Sequence, residues 1–354
     1  MDPLTQAVLG GATASVFFHR ALGRKAFVVG AVGGVLPDLD VLYKVDQWSG
    51  WEHHRGITHS LFFAPVVGPV FGWLSDRFER RRARPETGGD LDRARGRARL
   101  LTWMGVWTLS LLSHPLLDLF TAYGTQLLAP FSTERFAINA MAVIDPVYTL
   151  PLLIAGLICL SWPHRLRLVR GSLLAALIGS NLFLGYSWWL NSHTATVARL
   201  DLEARGLRVE RLDSYPTIFQ TFYRRIVAHT PGAVHVGYRS ALADGRVHWQ
   251  SFAPDDHPAI LAFLALPEGR LFERFSMGQN THRVIARADR IELWSEDIRY
   301  GLPHAPRKGL WGVRTVFAPD GRILEPPRRF RHPRDVRGSI AAAIWRAVTT
   351  GRMS

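Results

Sequence analysis

The chain has 354 residues, a formal net charge of +14, 47% hydrophobic residues and a single cysteine, Cys159. One cysteine excludes an intrachain disulfide and a cysteine-based zinc site, and the length makes room for roughly two domains. The positive charge is not read as nucleic-acid binding, because much of the arginine lies in loops between apolar runs, where it reports membrane topology and favours an anionic leaflet.

Leu4 to Phe18 is uncharged but short for a full span. Asp2 precedes it where a signal peptide would carry positive charge, so a retained helix is expected, spanning or partly inserted. Gly10, Gly11, Ala12 and Ala14 would let it pack closely against a neighbour. Ala26 to Tyr43 is the second apolar segment, interrupted by Gly33-Gly34 and Pro37. Pro37 disfavours helical geometry at Leu36, which predicts a break that puts Asp38 and Asp40 on an irregular turn. Such a turn is tolerated at membrane depth where it is buried in protein or lines a cavity. The connector Lys44 to Arg55 carries Trp48, Trp51, His53 and His54, and its tryptophans suit a membrane–water interface.

Gly56 to Leu74 forms the third segment. Asp76 to Arg99 holds Arg77, Arg80, Arg81, Arg82, Arg84, Arg93, Arg95, Arg97 and Arg99 around Gly88-Gly89, and reads as a solvated loop. The fourth segment is Leu100 to Leu128. The fifth, Ala142 to Trp162, opens with Ile144-Asp145-Pro146; the basic stretch Pro163 to Arg170 leads to the sixth, Gly171 to Leu190. Beyond that the chain turns charged and alternating. Ala233–Ser240 and Arg246–Phe252 flank Asp244-Gly245, and Leu310–Phe317 and Arg322–Leu324 flank Asp320-Gly321, both hairpin signals. Ser339 to Val348 is expected as a short terminal helix. The expected architecture is a polytopic α-helical membrane bundle of about five to six apolar helices over 1–194, followed by a soluble, mostly β (α+β) domain over 195–354.

Ser113-His114-Pro115-Leu116-Leu117-Asp118 lies inside the fourth segment. On a helix His114 and Asp118 share one face, roughly 5–6 Å apart. Imidazole with carboxylate suits zinc or a similar divalent ion, and an ionisable pair inside an apolar helix is a functional-site hypothesis; a hydrogen bond within a helix bundle is the plainer alternative. The positive-inside rule sets Arg77–Arg99 and Arg165–Arg170 in the cytoplasm. That topology brings Asp38, Asp40, His53, His54, His59, His114, Asp118, Asp145, Asn191 and His193 to the outer face, where a shared metal site becomes the expectation. The C-terminal domain is then extracytoplasmic as well.

Four motifs are in order: Met1-Asp2-Pro3-Leu4-Thr5, Gly34-Val35-Leu36-Pro37-Asp38-Leu39-Asp40, His54-Arg55-Gly56-Ile57-Thr58-His59-Ser60 and Ser113-His114 through Tyr123-Gly124. Together they resemble the YdjM-like family of bacterial inner-membrane proteins, described as membrane-bound metal-dependent hydrolases. The resemblance covers residues 1–165 closely and the C-terminal region more loosely. It implies metal-ligand roles for Asp38, Asp40, His54, His59, His114 and Asp118, in a pattern distantly like the zinc phospholipase C and P1-type nuclease group. Family members commonly have His after the first Leu-Thr; here that position is Gln6, so water or Asp2 is left to fill a coordination position, or nothing does.

The expected chemistry is metal-assisted hydrolysis with zinc, or manganese, as the cofactor. Of Asp38 and Asp40, one would ligate and the other orient a ligand, and Asp145 would act as general base. The expected partners are the lipid bilayer and a lipid-linked or amphiphilic substrate, most plausibly a phosphoester, with no nucleic acid and no protein partner named. Other readings stand beside these. Asp38 would cap a helix, His59 would bond to backbone, and Asp145-Pro146 would be an N-cap followed by proline at the first helical position. His53 is read as interfacial, His193 as structural, and His229, His235, His248, His257, His282, His304 and His332 as surface or core residues. A non-catalytic scaffold with a structural metal site and a transporter are the rival functions; the one-sided clustering of polar residues argues against the transporter.

Overall fold

Proline and glycine cut the apolar half of the chain into helices of unequal length. The computed structural model describes residues 1–82, 90–243, 246–301, 305, 307–332, 346 and 348–350. Asp2 caps α1 (Pro3–Leu22) by accepting from the Thr5 amide at 3.0 Å. After Gly23, α2 (Arg24–Val35) stops just before Pro37, and Leu36–Leu42 winds as a 3-10 turn. The short α3 (Ser49–Glu52) and a 3-10 turn at Ile57–His59 precede α4 (Phe63–Arg82). Then come α5 (Asp90–Asp118), α6 (Pro146–Ser161) and α7 (Leu166–Ala204).

Among the described residues, two helical stretches are long and apolar enough to cross a membrane, Asp92–Asp118 and Leu166–Ala204, with a third if Ser49–His59 and Phe63–Arg82 form one broken span. The expectation of about five to six spans is therefore corrected to two or three. The breaks at Pro37 and Pro146 leave α2 with 12 residues and α6 with 16, about 18 and 24 Å of helix against a hydrocarbon core of about 30 Å. The solvated loop expected over 76–99 is also corrected. Helix α4 runs to Arg82 and α5 starts at Asp90, supported by Asp76–Arg80 at 2.7 Å (i,i+4) and Asp76–Arg99 at 2.8 Å. Residues 83–89, the turn at Asp244-Gly245, His304 and all of the expected terminal helix except Arg346 and Val348 lie outside the described residues.

The chain divides into two compact units: Met1–Tyr43, His53–Ala137 and Val143–Gly185 make the first; Lys44–Glu52, Ile138–Ala142 and Tyr186–Ser354 the second. In the first, α1 and α2 touch backbone to backbone. A Cβ at Gly34 would run into the Gln6 carbonyl, and one at Gly33 into the Ser110 hydroxyl on α5, so only glycine lets α2 sit this close to both partners.

In the second unit, β1 (Arg211–Pro216), β2 (Tyr223–Thr230), β3 (Ala233–Ser240) and β4 (His248–Phe252) form an antiparallel sheet in sequential order. After α8 (Pro258–Leu264) and α9 (Pro267–Ser276), the strands β5 (Asn280–Ala286), β6 (Ile291–Asp297), β7 (Trp311–Phe317) and β8 (Ile323–Arg331) repeat that order in a second sheet. Each sheet pairs an arginine with an aromatic residue directly across the strands. Arg225 faces Tyr238 and Arg283 faces Trp294, with guanidiniums 5.4 and 5.6 Å from the ring centres, a favourable cation–π arrangement.

Candidate metal centre

Three breaks in helical structure deliver the candidate ligands. The 3-10 turn after α2 carries Asp38, the turn at Ile57–His59 carries His59, and the last turn of α5 carries His114 and Asp118. His59, His114 and Asp118 are fully buried, and the Asp38 side chain is 15% exposed. One atom from each converges on a common point. The two Nε2 atoms of His59 and His114 are 2.9 Å apart. Asp38 Oδ1 is 3.4 Å from both, and Asp118 Oδ2 is 3.5 Å from His59 Nε2 and 3.6 Å from His114 Nε2. A regular tetrahedron with edges of about 3.4 Å has its centre about 2.1 Å from each corner, the length of a zinc bond to nitrogen or oxygen.

The remaining ring nitrogens fix which atoms face that centre. His114 Nδ1 lies 2.6 Å from the Gly34 carbonyl oxygen, an acceptor only, so it donates there and its Nε2 presents a lone pair. His59 Nδ1 lies 3.3 Å from Asp40 Oδ2 and 3.0 Å from Thr58 Oγ1, and Thr58 Oγ1 donates to the same carboxylate at 3.1 Å. With both Nδ1 atoms engaged as donors, two lone pairs and two carboxylate oxygens face one another inside the protein. Asp118 Oδ2 is buried with no hydrogen-bond donor. With both imidazoles neutral, a cation satisfies all four atoms at once. The donor set fits a divalent ion, and His59, Asp40 and the centre form a carboxylate–histidine–metal chain.

Of the six residues expected as ligands, the structure brings four together: Asp38, His59, His114 and Asp118. Asp40 and His54 stand outside that set and pair with each other, His54 Nδ1 to Asp40 Oδ1 at 2.7 Å. Asp40 also accepts from the Arg55 amide at 3.0 Å. In a 3-10 turn, residues two apart project about 240° apart, which sends Asp38 into the cluster and Asp40 behind His59. Asp145 accepts from the Val147 amide at 3.0 Å and caps α6, with Pro146 at the first helical position. Gln6 is fully buried; its Nε2 donates to Asp118 Oδ1 at 3.2 Å and to the His114 carbonyl at 3.3 Å. The Met1 amino group also donates to Asp118 Oδ1. Asp2 is occupied as the α1 cap. His53 lies edge-on to Tyr43 with ring centres 5.3 Å apart. In the second unit, Asn191 Oδ1 accepts from Arg224 at 2.6 Å and His193 stacks on Trp189 at 5.2 Å.

Arg55 was given no role in the sequence reading. It is buried, adopts a φ of +62°, and its Nε lies 2.9 Å from Asp118 Oδ2 without the alignment of a hydrogen bond. Its Nη1 donates to Thr121 Oγ1 at 2.7 Å, and its guanidinium lies 4.8 Å from the Tyr123 ring centre. A charged residue held between His54 and Gly56, next to an apolar segment, is the signal that could have found it.

A sequence model of the YdjM inner membrane protein family matches residues 1–193. The chain is 28% identical over 131 residues to the uncharacterized protein YfhP of Bacillus subtilis (strain 168), a stretch that is 36% of this chain and 34% of YfhP, so the match spans about a third of that relative. It is 29% identical over 164 residues to the inner membrane protein YbcI of Escherichia coli (strain K12), covering 45% of this chain and 81% of YbcI. No solved structure matches.

Proposed function

The chain belongs to the YdjM inner membrane protein family, and from that premise we propose that it is a membrane-bound, metal-dependent hydrolase. Its reaction is cleavage of a phosphoester or related bond in a lipid-linked or amphiphilic substrate, at the outer face of the inner membrane. The observation that carries the reading is the convergence of Asp38, His59, His114 and Asp118, whose ligand atoms all lie within 4.8 Å of one another, with each His–His and His–Asp pair 2.9–3.6 Å apart. These four residues would hold a divalent ion, zinc or manganese, which would supply a Lewis acid for a phosphoryl oxygen and lower the pKa of water.

The chain's own residues supply the rest. The Gly34 carbonyl and Asp40 hold the two imidazoles in the tautomer that offers Nε2. Gln6 and Arg55 position the Asp118 carboxylate. Asp38 and His54 are the partly exposed members, their side chains 15% and 20% accessible, so substrate approaches along that edge. There the Asp40–His54 pair is the proton acceptor within reach. Asp145, the base expected from sequence, takes that role in this proposal only if it leaves the α6 cap.

A second reading rests on the same geometry. Four protein donors complete a tetrahedral shell, as in structural zinc sites, whereas catalytic sites keep one position open. The test is elemental analysis of the detergent-purified protein beside His114→Ala and Asp118→Ala. Near-stoichiometric metal in wild type, absent from both variants, is the expected result; equal metal in all three removes these residues as ligands. Reconstitution with Mn²⁺ then separates the readings. Relaxation of solvent water by the bound ion, with metal-dependent hydrolysis of a phosphodiester lipid, supports the enzyme. A relaxation-silent ion and no hydrolysis support the scaffold.

A further inference from the structure

A second site lies in the first unit, built from other residues than the metal centre. An open-sided cavity of about 670 Å³ lies among α2, α4 and α5, within the size range of ligand pockets. Three cations line it: Arg24 and Lys25 at the start of α2 and Arg82 at the end of α4. Its one carboxylate among the described residues, Glu79, is already engaged by Lys25 and by Trp103 Nε1, the latter at 2.8 Å. Among the described residues no carboxylate pairs with Arg24 or Arg82. The lining therefore keeps an excess of two positive charges.

Apart from Ser75, whose hydroxyl accepts from Trp107 Nε1 at 2.9 Å, the rest of the wall is largely apolar. Val28 and Val29, on the turn of α2 after the two cations, and Phe78 continue the surface away from the charges. Val28 is 51% exposed and Phe78 57% exposed. The Arg82 guanidinium lies 4.1 Å from the Phe78 ring centre, at the boundary of the charged and apolar parts. A free inorganic anion would use the cations and leave the apolar wall bare. An apolar molecule would leave the cations unmatched. Only an anion attached to a hydrocarbon chain satisfies both, and α5, which lines the cavity with Trp103, is long and apolar enough to cross a bilayer.

We infer that the cavity lined by Arg24, Lys25 and Arg82 binds the headgroup of an anionic phospholipid, with the first part of an acyl chain against Val28, Val29 and Phe78. The phosphate lies between Arg24 and Arg82, and the Lys25–Glu79 pair lines the same cavity. Basic pockets between membrane helices recognise anionic headgroups in this way.

The test is native mass spectrometry of the full chain in detergent, titrated with phosphatidylglycerol and with phosphatidylcholine of the same acyl chains. Phosphatidylglycerol should bind about tenfold more tightly. Arg24→Gln with Arg82→Gln should weaken it about tenfold, erasing the preference, and leave phosphatidylcholine unchanged. Val29→Trp, which fills the cavity without altering charge, should also weaken it, and carries the test if the double variant does not fold. Equal affinity for the two lipids, or unchanged phosphatidylglycerol binding in the variants, overturns the site. Full displacement by millimolar inorganic phosphate overturns the assignment to lipid.

Discussion

Both units bury aspartate, and they treat it in opposite ways. In the sheet unit, Asp297 and Arg299 are fully buried together. Arg299 Nε donates to Asp297 Oδ1 at 3.0 Å and its Nη2 to Oδ2 at 2.7 Å, while Trp311 Nε1 adds a third donor at 3.0 Å. Every carboxylate oxygen there has a donor, and the charges cancel. In the helical unit, Asp118 is equally buried and has cations beside both oxygens, the Met1 amino group on Oδ1 and Arg55 Nε 2.9 Å from Oδ2, but Oδ2 receives no aligned hydrogen bond and also faces His59, His114 and Asp38. Burial of charge therefore does not mark a functional site. What singles out a candidate site is convergence of several ligand atoms from different elements on one point, beyond what a single ion pair needs.

That contrast is open to experiment, beginning with the largest effect. Asp297→Ala leaves Arg299 charged and buried, and should cost about 3–5 kcal/mol in denaturant unfolding with metal content unchanged. A small loss would show the pair to be less than the self-contained contact described here. Next, burial holds His282 in its neutral form, its pKa lowered from 6.5 to about 4. The folded pKa lies below the unfolded one, so the unfolded chain binds the proton first as pH falls. Stability should be unaffected above pH 6.5, decline by up to about 3 kcal/mol between pH 6.5 and 4, and level off below. The difference between wild type and His282→Gln across that window isolates the term, and a flat difference refutes it. Asp40→Asn should weaken metal affinity about 10- to 100-fold while leaving the four donors in place, measured by competition with a chelating dye; unchanged affinity would detach Asp40 from the centre. Last, Asp145→Ala should cost about 1 kcal/mol as a lost N-cap, seen as a small fall in melting temperature. Loss of hydrolysis out of proportion to that fall would restore its expected role as base.

The sequence made some of this legible and concealed the rest for physical reasons. Pro37 announced the end of α2, and alternation announced β3 and β7, because each is a local rule about backbone geometry. The i,i+4 spacing of His114 and Asp118 placed both on one face of α5, and they meet at 3.6 Å. The end of α5 at Asp118 was hidden, since the apolar run continues to Leu128 with no glycine or proline between Asp118 and Gly124. The division of labour between Asp38 and Asp40 was also hidden, because it depends on what packs behind His59. The span count failed for a related reason: hydropathy reports which residues avoid water but not how often the helix restarts. Arg55 went unassigned because its partner, Asp118, is far along the chain and only the fold joins them.

The spacing of the ligands along the chain also orders its biogenesis. His59 and His114 are separated by 55 residues, which a ribosome takes about 3 to 11 seconds to add. During that interval the nascent protein offers an incoming ion one carboxylate and one imidazole, a weak chelate open to exchange. Only when α5 emerges and inserts beside α2 do the other two donors arrive, both on a single helical turn. On the proposed metal-bound reading, capture of the ion and docking of α5 would be one cooperative step, so that metal supply would act on the yield of the assembled membrane domain as that helix enters the bilayer.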